Sequence, residues 1–332
     1  MKNGKKTLLL GVGLGLATAA VVAVQNTLTD IMTNLALERK LSSKLKMGRR
    51  RVSGSTKEEE KKLEAVKALS ERLEETAKET VTITAEDGIS LVGHYFEAEK
   101  PKRVIIAMHG WRSAWSRDFG GIADFWHKNG SSVLYAEQRG QNASGGDYMG
   151  FGPIERFDCF AWVKYIHERT GGKLPIYLAG ISMGASTVLM TADFPFPSTV
   201  KGIMADCGYT SPKAIWRHVA KDNLHMPYGF ISARIDKAYR RITNAESCYS
   251  CEDALREATV PVLFVHGTAD KFVPVEMTYQ NYMACASPKE LLIVPGAEHG
   301  LSYWVEQDKY ESTVKAFWKK YDGKPAKKAE EA

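Results

Sequence analysis

The sequence predicts an α/β protein with a mostly parallel central sheet, and three observations favour that fold class. Short apolar runs alternate with segments of amphipathic helical pattern between residues 103 and 294. Strands that alternate with helices are typical of a parallel sheet covered by helices. One of the runs ends in a Gly-x-Ser-x-Gly pattern that continues into a helix. Two later runs each end in a loop with one reactive side chain, at Asp270 and His299.

Length and composition indicate a globular protein without a nucleic-acid partner. The chain has 332 residues, of which 44% are hydrophobic and 25% are charged. These proportions are ordinary for a folded domain with a sizeable core. The net charge of +6 is mild, and much of it lies outside the predicted core. A basic patch that would indicate nucleic-acid binding is therefore not expected.

Six apolar runs predict the parallel strands of the sheet. They cover residues 103–108, 132–136, 174–179, 200–205, 260–265 and 290–294. Alternating residues within 80–98, with a turn at Glu86-Asp87-Gly88, predict an antiparallel pair before them. The interval 210–259 carries no clear strand and many aromatic and basic residues. We therefore expect it to form a helical cap inserted in the sheet.

Residues 1–25 predict a membrane segment. Lysines precede an uncharged apolar stretch over 7–24, which is close to the length that spans a bilayer. An uncleaved anchor and a signal peptide cut near Ala17-Thr18-Ala19 both match this pattern. We favour the anchor because apolar residues continue past the cleavage site. An anchor predicts a membrane-bound protein, with the extracellular face as one alternative for its orientation, whereas cleavage predicts a secreted protein.

The remaining domain limits follow from charge and periodicity. Residues 26–79 predict a charged helical stalk, with apolar residues at helical spacing near its start. Residues 80–323 form the predicted folded domain. The tail over 324–332 is rich in Lys, Glu and Ala, and we expect it to be disordered.

A Gly-x-Ser-x-Gly pattern lies at Gly180-Ile181-Ser182-Met183-Gly184. An apolar run precedes it and small, apolar residues follow it, so the serine is expected at the strand–turn–helix corner called a nucleophile elbow. Side chains at Gly180 and Gly184 would collide with the flanking strand and helix. Ser182 is therefore the predicted nucleophile.

A serine hydroxyl needs a base to act as a nucleophile, and the base needs an orienting carboxylate. On such a sheet the acid and then the histidine are expected after the serine, in loops that follow later strands. Asp270 follows the run over 260–265, and His299 follows the run over 290–294. We expect Ser182, Asp270 and His299 to form a catalytic triad.

Other residues compete for these roles. Asp270 could instead cap the helix that follows it, and Asp206, at the end of the preceding strand, is then the reserve acid. His266 lies within a strand run and is expected to be a packed, hydrogen-bonded residue. His109 precedes Gly110 in a loop for which the sequence predicts another role.

That other role is an oxyanion hole, because a tetrahedral intermediate carries a negative oxygen that needs preorganised donors. One expected donor is the backbone N–H of Met183, directly after the nucleophile. The second is expected from the loop after an early strand. That loop is Ala107-Met108-His109-Gly110-Trp111, and the Trp111 N–H is the predicted donor.

Residues from about 81 to 320 resemble an α/β-hydrolase. A His-Gly loop, Gly-x-Ser-x-Gly, Gly-x-x-Asp-x-x-Val-Pro and Gly-x-x-His occur in that order across the domain. More narrowly, the chain is similar to membrane-anchored bacterial serine hydrolases of the esterase and lysophospholipase-like type. The resemblance implies the α/β-hydrolase fold and hydrolysis of a small-molecule or lipid-like ester.

One stretch departs from the family pattern. Such hydrolases commonly show Asp-x-Arg-Gly-His-Gly-x-Ser before the elbow, and this chain has Glu137-Gln138-Arg139-Gly140-Gln141-Asn142-Ala143-Ser144. The histidine is absent, which leaves the predicted triad intact but gives no basis for inferring the substrate of this chain from the family's loop. The resemblance also implies that Arg139 is structural and pairs with Glu155 or Asp158.

Aromatic residues near the triad and in the cap favour an apolar acyl or aryl group in the substrate. We expect Trp115, Trp216 and Tyr303 to contact it, with Trp304 nearby; core packing is the alternative for each. Basic residues in the cap fit an anionic substrate or membrane surface, and a solvated helix face equally well.

No cofactor and no metal are expected, since the sequence has no ligand cluster with metal-site spacing and no phosphate-cradling Gly-rich loop. Cys248 and Cys251 form a lone Cys-x-x-Cys without a second ligand pair. A local disulfide between them is an alternative in an oxidising compartment.

The function that these motifs predict is carboxylic-ester hydrolysis through an acyl-enzyme. A serine peptidase, a thioesterase or an acyltransferase would use the same triad. An alternative of a different class is a membrane-tethered interaction protein on an inactive hydrolase scaffold. The complete set of triad residues argues against that alternative.

Overall fold

The computed structural model describes residues 21–40, 57–77 and 79–323. Its strands are β1 (Glu79–Thr84), β2 (Ser90–Phe96), β3 (Arg103–Met108), β4 (Ser131–Ala136), β5 (Ile176–Ile181), β6 (Val200–Asp206), β7 (Val262–Gly267) and β8 (Lys289–Val294). They form one sheet in the order β1-β2-β4-β3-β5-β6-β7-β8. The pairs β1–β2 and β2–β4 are antiparallel, and the other pairs are parallel. The predicted fold class is confirmed.

Helices cover both faces of this sheet. They are α1 (21–37), α2 (Lys57–Thr76), α3 (Trp115–Lys128), α4 (Glu155–Arg169), α5 (Met183–Leu189), α6 (Pro212–His218), α7 (Ser232–Thr243), α8 (Cys251–Arg256), α9 (Val275–Ala284), α10 (Ser302–Val305) and α11 (Gln307–Tyr321). A π-helical turn at Val219–Asn223 and a 3₁₀ turn at Tyr228–Phe230 lie between α6 and α7.

The sheet has an apolar core on each face, because successive side chains of a strand point to opposite sides. On β5, Ile176 and Leu178 belong to one buried cluster and Tyr177 to the other. Helices α4, α5 and α8 cover the first cluster, and α3 and α11 cover the second. Since both faces are buried, the inner strands are mostly apolar in the sequence.

The last helix is tied to the centre of the sheet by a buried arginine. The guanidinium of Arg103, on β3, contacts the carboxylate of Asp322 at 2.7 Å and lies over the ring of Trp318. The hydroxyl of Tyr177 donates to the same carboxylate at 3.0 Å. Residues more than 200 positions apart therefore meet at the amino-terminal end of the strands.

The predicted stalk is in contact with the folded domain wherever the structure describes its side chains. Leu73 and Ala77 are buried in the core beside α3. Helices α2 and α3 approach so closely that a β-carbon at Gly120 would lie 2.9 Å from the Leu69 carbonyl carbon. Arg72 pairs with Asp124 of α3 at 2.8 Å. This part of the predicted charged stalk therefore packs on the domain, because one face of α2 is apolar.

Helix α1 packs on the cap. The cap cluster is the buried apolar group formed by Ile215, Trp216, Tyr228, Ile235 and Tyr239 together with Tyr209 and Phe151. Leu37 is fully buried in it, and Leu28, Met32 and Ala36 pack against it. Residues 26–37 are therefore part of the folded body.

The interval between β6 and β7 is helical, as predicted for a cap, and contains no strand among its residues. Helices α6 and α7 carry the cap cluster. Helix α8 belongs to the sheet instead, since Cys251, Ala254 and Leu255 are fully buried in the core beneath the strands. The cap therefore ends by Thr243, before the predicted limit near residue 259.

Two predicted segments lie mostly or wholly outside the described residues. The membrane segment over 1–25 enters them only at 21–25, and the tail over 324–332 lies beyond them. Within the described ranges, every helix is too short or too polar to cross a bilayer.

Candidate active site

Ser182 lies on a sharp turn between β5 and α5. Its backbone has φ 56° and ψ −117°, a conformation that is strained for a residue with a side chain. A β-carbon at Gly184 would lie 1.9 Å from the Met108 carbonyl oxygen, and one at Gly180 would lie 2.3 Å from Gly184. Both glycines are required for the strand, the turn and the helix to approach this closely. The local geometry is that of a nucleophile elbow.

Ser182, His299 and Asp270 form a continuous hydrogen-bonded chain. His299 Nε2 lies 2.8 Å from Ser182 Oγ, and His299 Nδ1 lies 2.6 Å from Asp270 Oδ2. The serine follows β5, the aspartate follows β7 and the histidine follows β8. Parallel strands bring these loops to one edge of the sheet, as the sequence predicts.

The surroundings of Asp270 keep its carboxylate ionised. Burial alone would raise its pKa, but hydrogen bonds to His266 and His299 and to the Val273 N–H hold the pKa well below its usual range. Backbone N–H groups of Phe272 and Val273 both donate to Oδ1 at 2.9 Å. Asp270 therefore caps the following turn and faces His299 at the same time, so its two predicted roles are compatible.

The ionised carboxylate decides which nitrogen of His299 carries the proton. A carboxylate can only accept, so Nδ1–H donates to Asp270 and the other nitrogen, Nε2, is left with a lone pair. The hydroxyl of Ser182 then donates to Nε2. This arrangement can take the serine proton and hold the resulting imidazolium next to a negative charge.

The competing residues occupy other positions. The backbone N–H of Ser182 donates to the Asp206 carbonyl, while the Asp206 carboxylate accepts from Ser302 Oγ at 3.0 Å. Burial raises the pKa of Asp206. His266 is fully buried, with Nδ1 2.6 Å from Thr278 Oγ1 and Nε2 3.2 Å from Asp270. It contacts the same carboxylate oxygen of Asp270, Oδ2, that His299 contacts.

His109 is also a buried structural residue. Its Nδ1 lies 2.8 Å from the Gly110 carbonyl oxygen, and its Nε2 accepts a hydrogen bond from the Gln138 N–H at 3.2 Å. Burial lowers its pKa, which favours the neutral ring. It links the loop after β3 to the loop after β4.

The loop 110–113 lines the cavity that contains Ser182. The Gly110 N–H donates to Asp118 at 2.7 Å, and the Arg112 N–H donates to Gln141 Oε1 at 2.6 Å. The N–H between them belongs to Trp111, which lines the cavity that contains Ser182. Met183 is the first residue of α5, where a backbone N–H has no acceptor inside its own helix. Met183 adjoins Ser182 in the chain and Trp111 lines the same cavity; the assignment of their N–H groups as oxyanion donors stays a prediction.

Ser182 and His299 open into a cavity of about 430 Å³. Its apolar lining comes from Val66, Trp111, Ile181, Phe272, Leu301 and Trp304, and its charged lining from Arg112, Arg117 and Asp118. Sequence reasoning missed Val66 because the helix that carries it is mostly charged. Phe272 and Leu301 lie two positions after Asp270 and His299 in the same loops, and that proximity is the signal that could have identified them.

The three predicted substrate contacts are placed differently. Trp115 is buried in the core, where it stacks on His94 at 4.3 Å. Trp216 is buried in the cap cluster against Phe151 and Tyr239. Neither lines the Ser182 cavity. Tyr303 is also buried and lines a narrower cavity that shares Trp304 with the first.

The loop that departs from the family pattern supports the site. Arg139 pairs with Asp158 and also with Asp87 at 2.6 Å, so Asp158 is the correct member of the predicted alternatives. Asn142 has φ 48°, a left-handed conformation that asparagine tolerates and that suits the glycine of the family pattern. Gln141 replaces the family's histidine and holds the Arg112 N–H.

Among the described residues, Cys207, Asp270 and His299 have ligand atoms within 4.8 Å of one another. A metal ion there would have to displace the hydrogen bond between Asp270 and His299. Burial also raises the pKa of the Cys207 thiol well above its usual value. These residues suit proton transfer better than metal binding.

The cysteines that raised the disulfide alternative are free thiols. Cys248 is exposed, whereas Cys251 is buried and its thiol donates to the Tyr209 carbonyl at 3.2 Å. The two side chains therefore lie in different environments, and no bond joins them.

Fold and site together define an α/β-hydrolase of the serine type. The chain belongs to the prolyl oligopeptidase family, whose model matches residues 117–324, more than half of the chain. It is an enzyme of the α/β-hydrolase class with a serine hydrolase activity.

Comparison with individual proteins gives more distant likenesses. The chain is 26% identical over 253 residues to the uncharacterized protein YqkD of Bacillus subtilis (strain 168), covering 74% of this chain and 81% of that protein. The esterase Pf2001 of Pyrococcus furiosus superposes with a TM-score of 0.62 at 23% identity, covering 74% of this chain and 91% of the esterase. A puromycin-hydrolyzing peptidase of Mycobacterium tuberculosis gives a TM-score of 0.58 at 16% identity, covering 74% of this chain and 39% of the peptidase.

Proposed function

We propose that the protein hydrolyses carboxylic esters with an apolar acyl group, with Ser182, His299 and Asp270 as its catalytic triad. The observation that carries the proposal is the hydrogen-bonded chain from Asp270 through His299 to Ser182, which opens directly into a cavity with an apolar lining. A strained serine that contacts a base, which in turn contacts a buried carboxylate, is the arrangement of covalent serine catalysis.

The proposed reaction proceeds through an acyl-enzyme. Ser182 Oγ attacks the ester carbonyl carbon as its proton passes to His299 Nε2. The bond to the alcohol oxygen then breaks, and His299 returns the proton to that oxygen. Water then gives a proton to His299 and attacks the carbonyl of the acyl-serine. The bond between that carbon and Ser182 Oγ breaks, His299 returns the proton to Ser182 Oγ, and the acid is released. Asp270 orients His299 and stabilises its charge throughout.

The backbone N–H groups of Met183 and Trp111 are the proposed oxyanion donors. They act when the carbonyl oxygen becomes negative, and each is worth roughly 3–4 kcal/mol of barrier in such sites. Leu301 and Trp304, which line the cavity that holds Ser182, are exposed to solvent, so a small or medium acyl group can enter from the surface.

Two features favour an ester over a peptide. Among the described residues that line the cavity, Asp118 is the one carboxylate. It accepts hydrogen bonds from the Gly110 N–H and the Ser113 hydroxyl. It is therefore not presented to a peptide amino terminus. In addition, all named strands of the described residues belong to one sheet, which leaves no second β domain there to restrict access to short peptides. The likeness to esterase Pf2001 is consistent with this proposal.

Peptide hydrolysis is the second candidate, and family membership favours it. Prolyl oligopeptidases by name act on peptides, and a serine triad can cleave an amide by the same steps. An amide needs the same proton delivery to its leaving nitrogen. Substrate comparison therefore has to separate the two candidates.

The experiment uses the full-length protein and three readouts. These are labelling by a fluorophosphonate probe, hydrolysis of p-nitrophenyl acetate, butyrate and octanoate, and hydrolysis of peptidyl-coumarin amides with Pro or Ala before the scissile bond. Ser182→Ala is expected to abolish labelling and to lower kcat for esters by about 10⁶-fold, the scale seen when a triad serine is removed. Ser312→Ala, an exposed serine on α11, is the matched control.

The outcomes separate the candidates. Ester turnover with amide turnover at the level of Ser182→Ala supports the esterase proposal. Amide turnover that depends on Ser182 assigns a peptidase instead. Labelling that persists in Ser182→Ala, or a wild-type protein that neither labels nor turns over, rejects the triad assignment.

A further inference from the structure

The carboxyl-terminal end of α1 contacts the loop that carries the proposed oxyanion donor. The indole N–H of Trp111 donates to the Ala36 carbonyl at 2.9 Å. The guanidinium of Arg112 donates to the Leu35 carbonyl at 3.0 Å and also to the Glu38 carbonyl. The last carbonyls of a helix have no donor within the helix and carry partial negative charge. A guanidinium is therefore a suitable partner for them.

These contacts hold a loop whose backbone is strained. Arg112 has φ 52°, in the left-handed region that residues with side chains seldom adopt. Such a conformation persists only where several contacts determine it. Here the Arg112 N–H is fixed by Gln141, and the Arg112 side chain is fixed by α1. The N–H of Trp111 lies immediately before this residue.

The other part of α1 is fixed to the cap. The Gln25 amide donates to the Phe230 carbonyl at 2.8 Å, and Arg234 donates to Asn26 Oδ1 at 3.0 Å. Along the helix, Met32 and Leu37 pack into the cap cluster. Helix α1 thus reaches from the cap to the loop beside Ser182, and the cap sets where its last carbonyls stand.

The same end of α1 is also joined to the loop after β4. The Met149 N–H donates to the Leu37 carbonyl at 2.8 Å, and the Arg39 N–H donates to the Asp147 carbonyl at 2.8 Å. The Arg39 guanidinium donates to the Ser144 carbonyl at 2.6 Å. That loop carries Gln141, so both supports of Arg112 are linked to α1.

We propose that α1 completes the oxyanion hole, with Arg112 as the positioning residue that fixes the Trp111 N–H; the inference rests on the proposed serine hydrolase function. Oxyanion donors act only when they are preorganised for the transition state. Without the anchor on α1, the loop can relax from its strained conformation and the Trp111 N–H leaves the oxyanion. Substrate binding in the ground state does not use that N–H, so kcat is affected and KM is not.

The test compares Arg112→Ala, Arg112→Lys and Trp111→Phe in the full chain. Arg112→Ala is expected to lower kcat for p-nitrophenyl butyrate by about 10²-fold, as for loss of one oxyanion donor, with KM within about twofold. Guanidinium ion added to Arg112→Ala is expected to restore part of kcat. Arg112→Lys keeps a cation but lacks the planar guanidinium, so its kcat is expected to lie between those of the wild type and Arg112→Ala. Arg72→Ala, which removes an arginine–carboxylate pair outside the cavity, is the matched control.

Two further measurements cover the other outcomes. Trp111→Phe keeps an aromatic ring and the backbone N–H but removes the indole N–H that donates to the Ala36 carbonyl. It therefore tests the anchor if Arg112→Ala does not fold. About tenfold lower kcat is expected. The rate of fluorophosphonate labelling also depends on the oxyanion hole, and it reports the same loss if esters prove to be poor substrates.

The results distinguish the two proposals. Two outcomes overturn the role of α1 and leave the esterase proposal standing. In the first, the wild type is active and the kcat of Arg112→Ala is within threefold of the wild-type value. In the second, Arg112→Ala loses activity equally through kcat and KM, and added guanidinium does not change the loss. A wild-type protein that neither labels nor turns over overturns both.

Discussion

Gly184 lies so close to Met108 that a β-carbon on the glycine would stand 1.9 Å from the methionine's carbonyl oxygen. Real β-carbons do not approach a backbone oxygen to that distance. The contact joins the helix after the nucleophile to the strand before the oxyanion loop. The nucleophile turn and the oxyanion loop are therefore held together by direct backbone packing.

Gly184→Ala is accordingly expected to destabilise the fold and to lower activity. Overpacking of a tight contact costs about 3 kcal/mol or more, which lowers Tm by roughly 6–12 °C in a domain of this size. Thermal unfolding followed by circular dichroism measures it. Gly229→Ala is the control, since nothing lies within 4 Å of that position. Equal Tm values for the two variants would contradict the structure.

Asp270→Asn and Asp206→Asn are expected to differ in activity. Asp270 contacts His299, whereas the Asp206 carboxylate contacts Ser302. Asp270→Asn is expected to lower kcat by about 10⁴-fold, because an amide in place of the carboxylate stabilises the wrong tautomer of the histidine. Asp206→Asn is expected to stay within about tenfold of wild type. Ester kinetics at pH 7–8 measure both, and the reverse order would assign the acid to Asp206.

Asp270 also predicts how stability depends on pH. Its pKa is lower in the folded protein than the usual aspartate value of about 3.9. A lowered pKa of an acid stabilises the folded state fully above the unfolded value, and that contribution decreases as pH falls toward the folded value. The Tm difference between wild type and Asp270→Asn should therefore be constant above about pH 5 and narrow below about pH 4. A difference that widens in acid would show the opposite shift.

Trp304 and Trp115 are expected to have separate effects on selectivity. Trp304 lines both cavities beside Ser182, and Trp115 is buried away from them. Trp304→Ala should raise kcat/KM for the octanoyl ester relative to the acetyl ester by about tenfold, since it enlarges an apolar pocket. Trp115→Phe should cost about 1–3 kcal/mol of stability and leave that ratio within twofold. Chain-length selectivity that follows Trp115 instead would reassign the acyl site.

The amino-terminal segment gives a prediction about location. The Gln25 amide is bound to the cap, so we expect any membrane span within residues 7–24 to end before this residue. The anchor hypothesis predicts that the full chain sediments with membranes and resists carbonate extraction. Edman sequencing of the mature protein tests the alternative, because an amino terminus at Ala20 would show cleavage and contradict the anchor hypothesis. Both outcomes leave α1 in the protein.

The sequence predicts most of the fold and the core of the site for a physical reason. The inner parallel strands are buried on both faces, so each is a mostly apolar run, and each reactive residue lies within five positions of the end of its strand. Ser182, Asp270 and His299 therefore meet at one edge of the sheet as expected. The elbow glycines are predictable because sterics at that turn leave no alternative.

The parts that sequence reasoning missed depend on long-range packing. Helix α2 is highly charged, but Val66, Leu69 and Leu73 follow helical spacing and form an apolar stripe that meets α3. The high overall charge of α2 made that stripe difficult to recognise in the sequence. The aromatic residues Trp115 and Trp216 were expected in the substrate site on composition, and composition does not distinguish a core aromatic from a pocket aromatic.

The buried contact between Arg103 and Asp322 has a consequence for how the chain is made. During synthesis β3 leaves the ribosome some 219 residues before its partner carboxylate. Until then its guanidinium has to remain in water, since a buried arginine without its counter-charge is strongly unfavourable. The centre of the sheet is therefore expected to close only after α11 has emerged, which places the completion of folding after nearly all of the described chain has been translated.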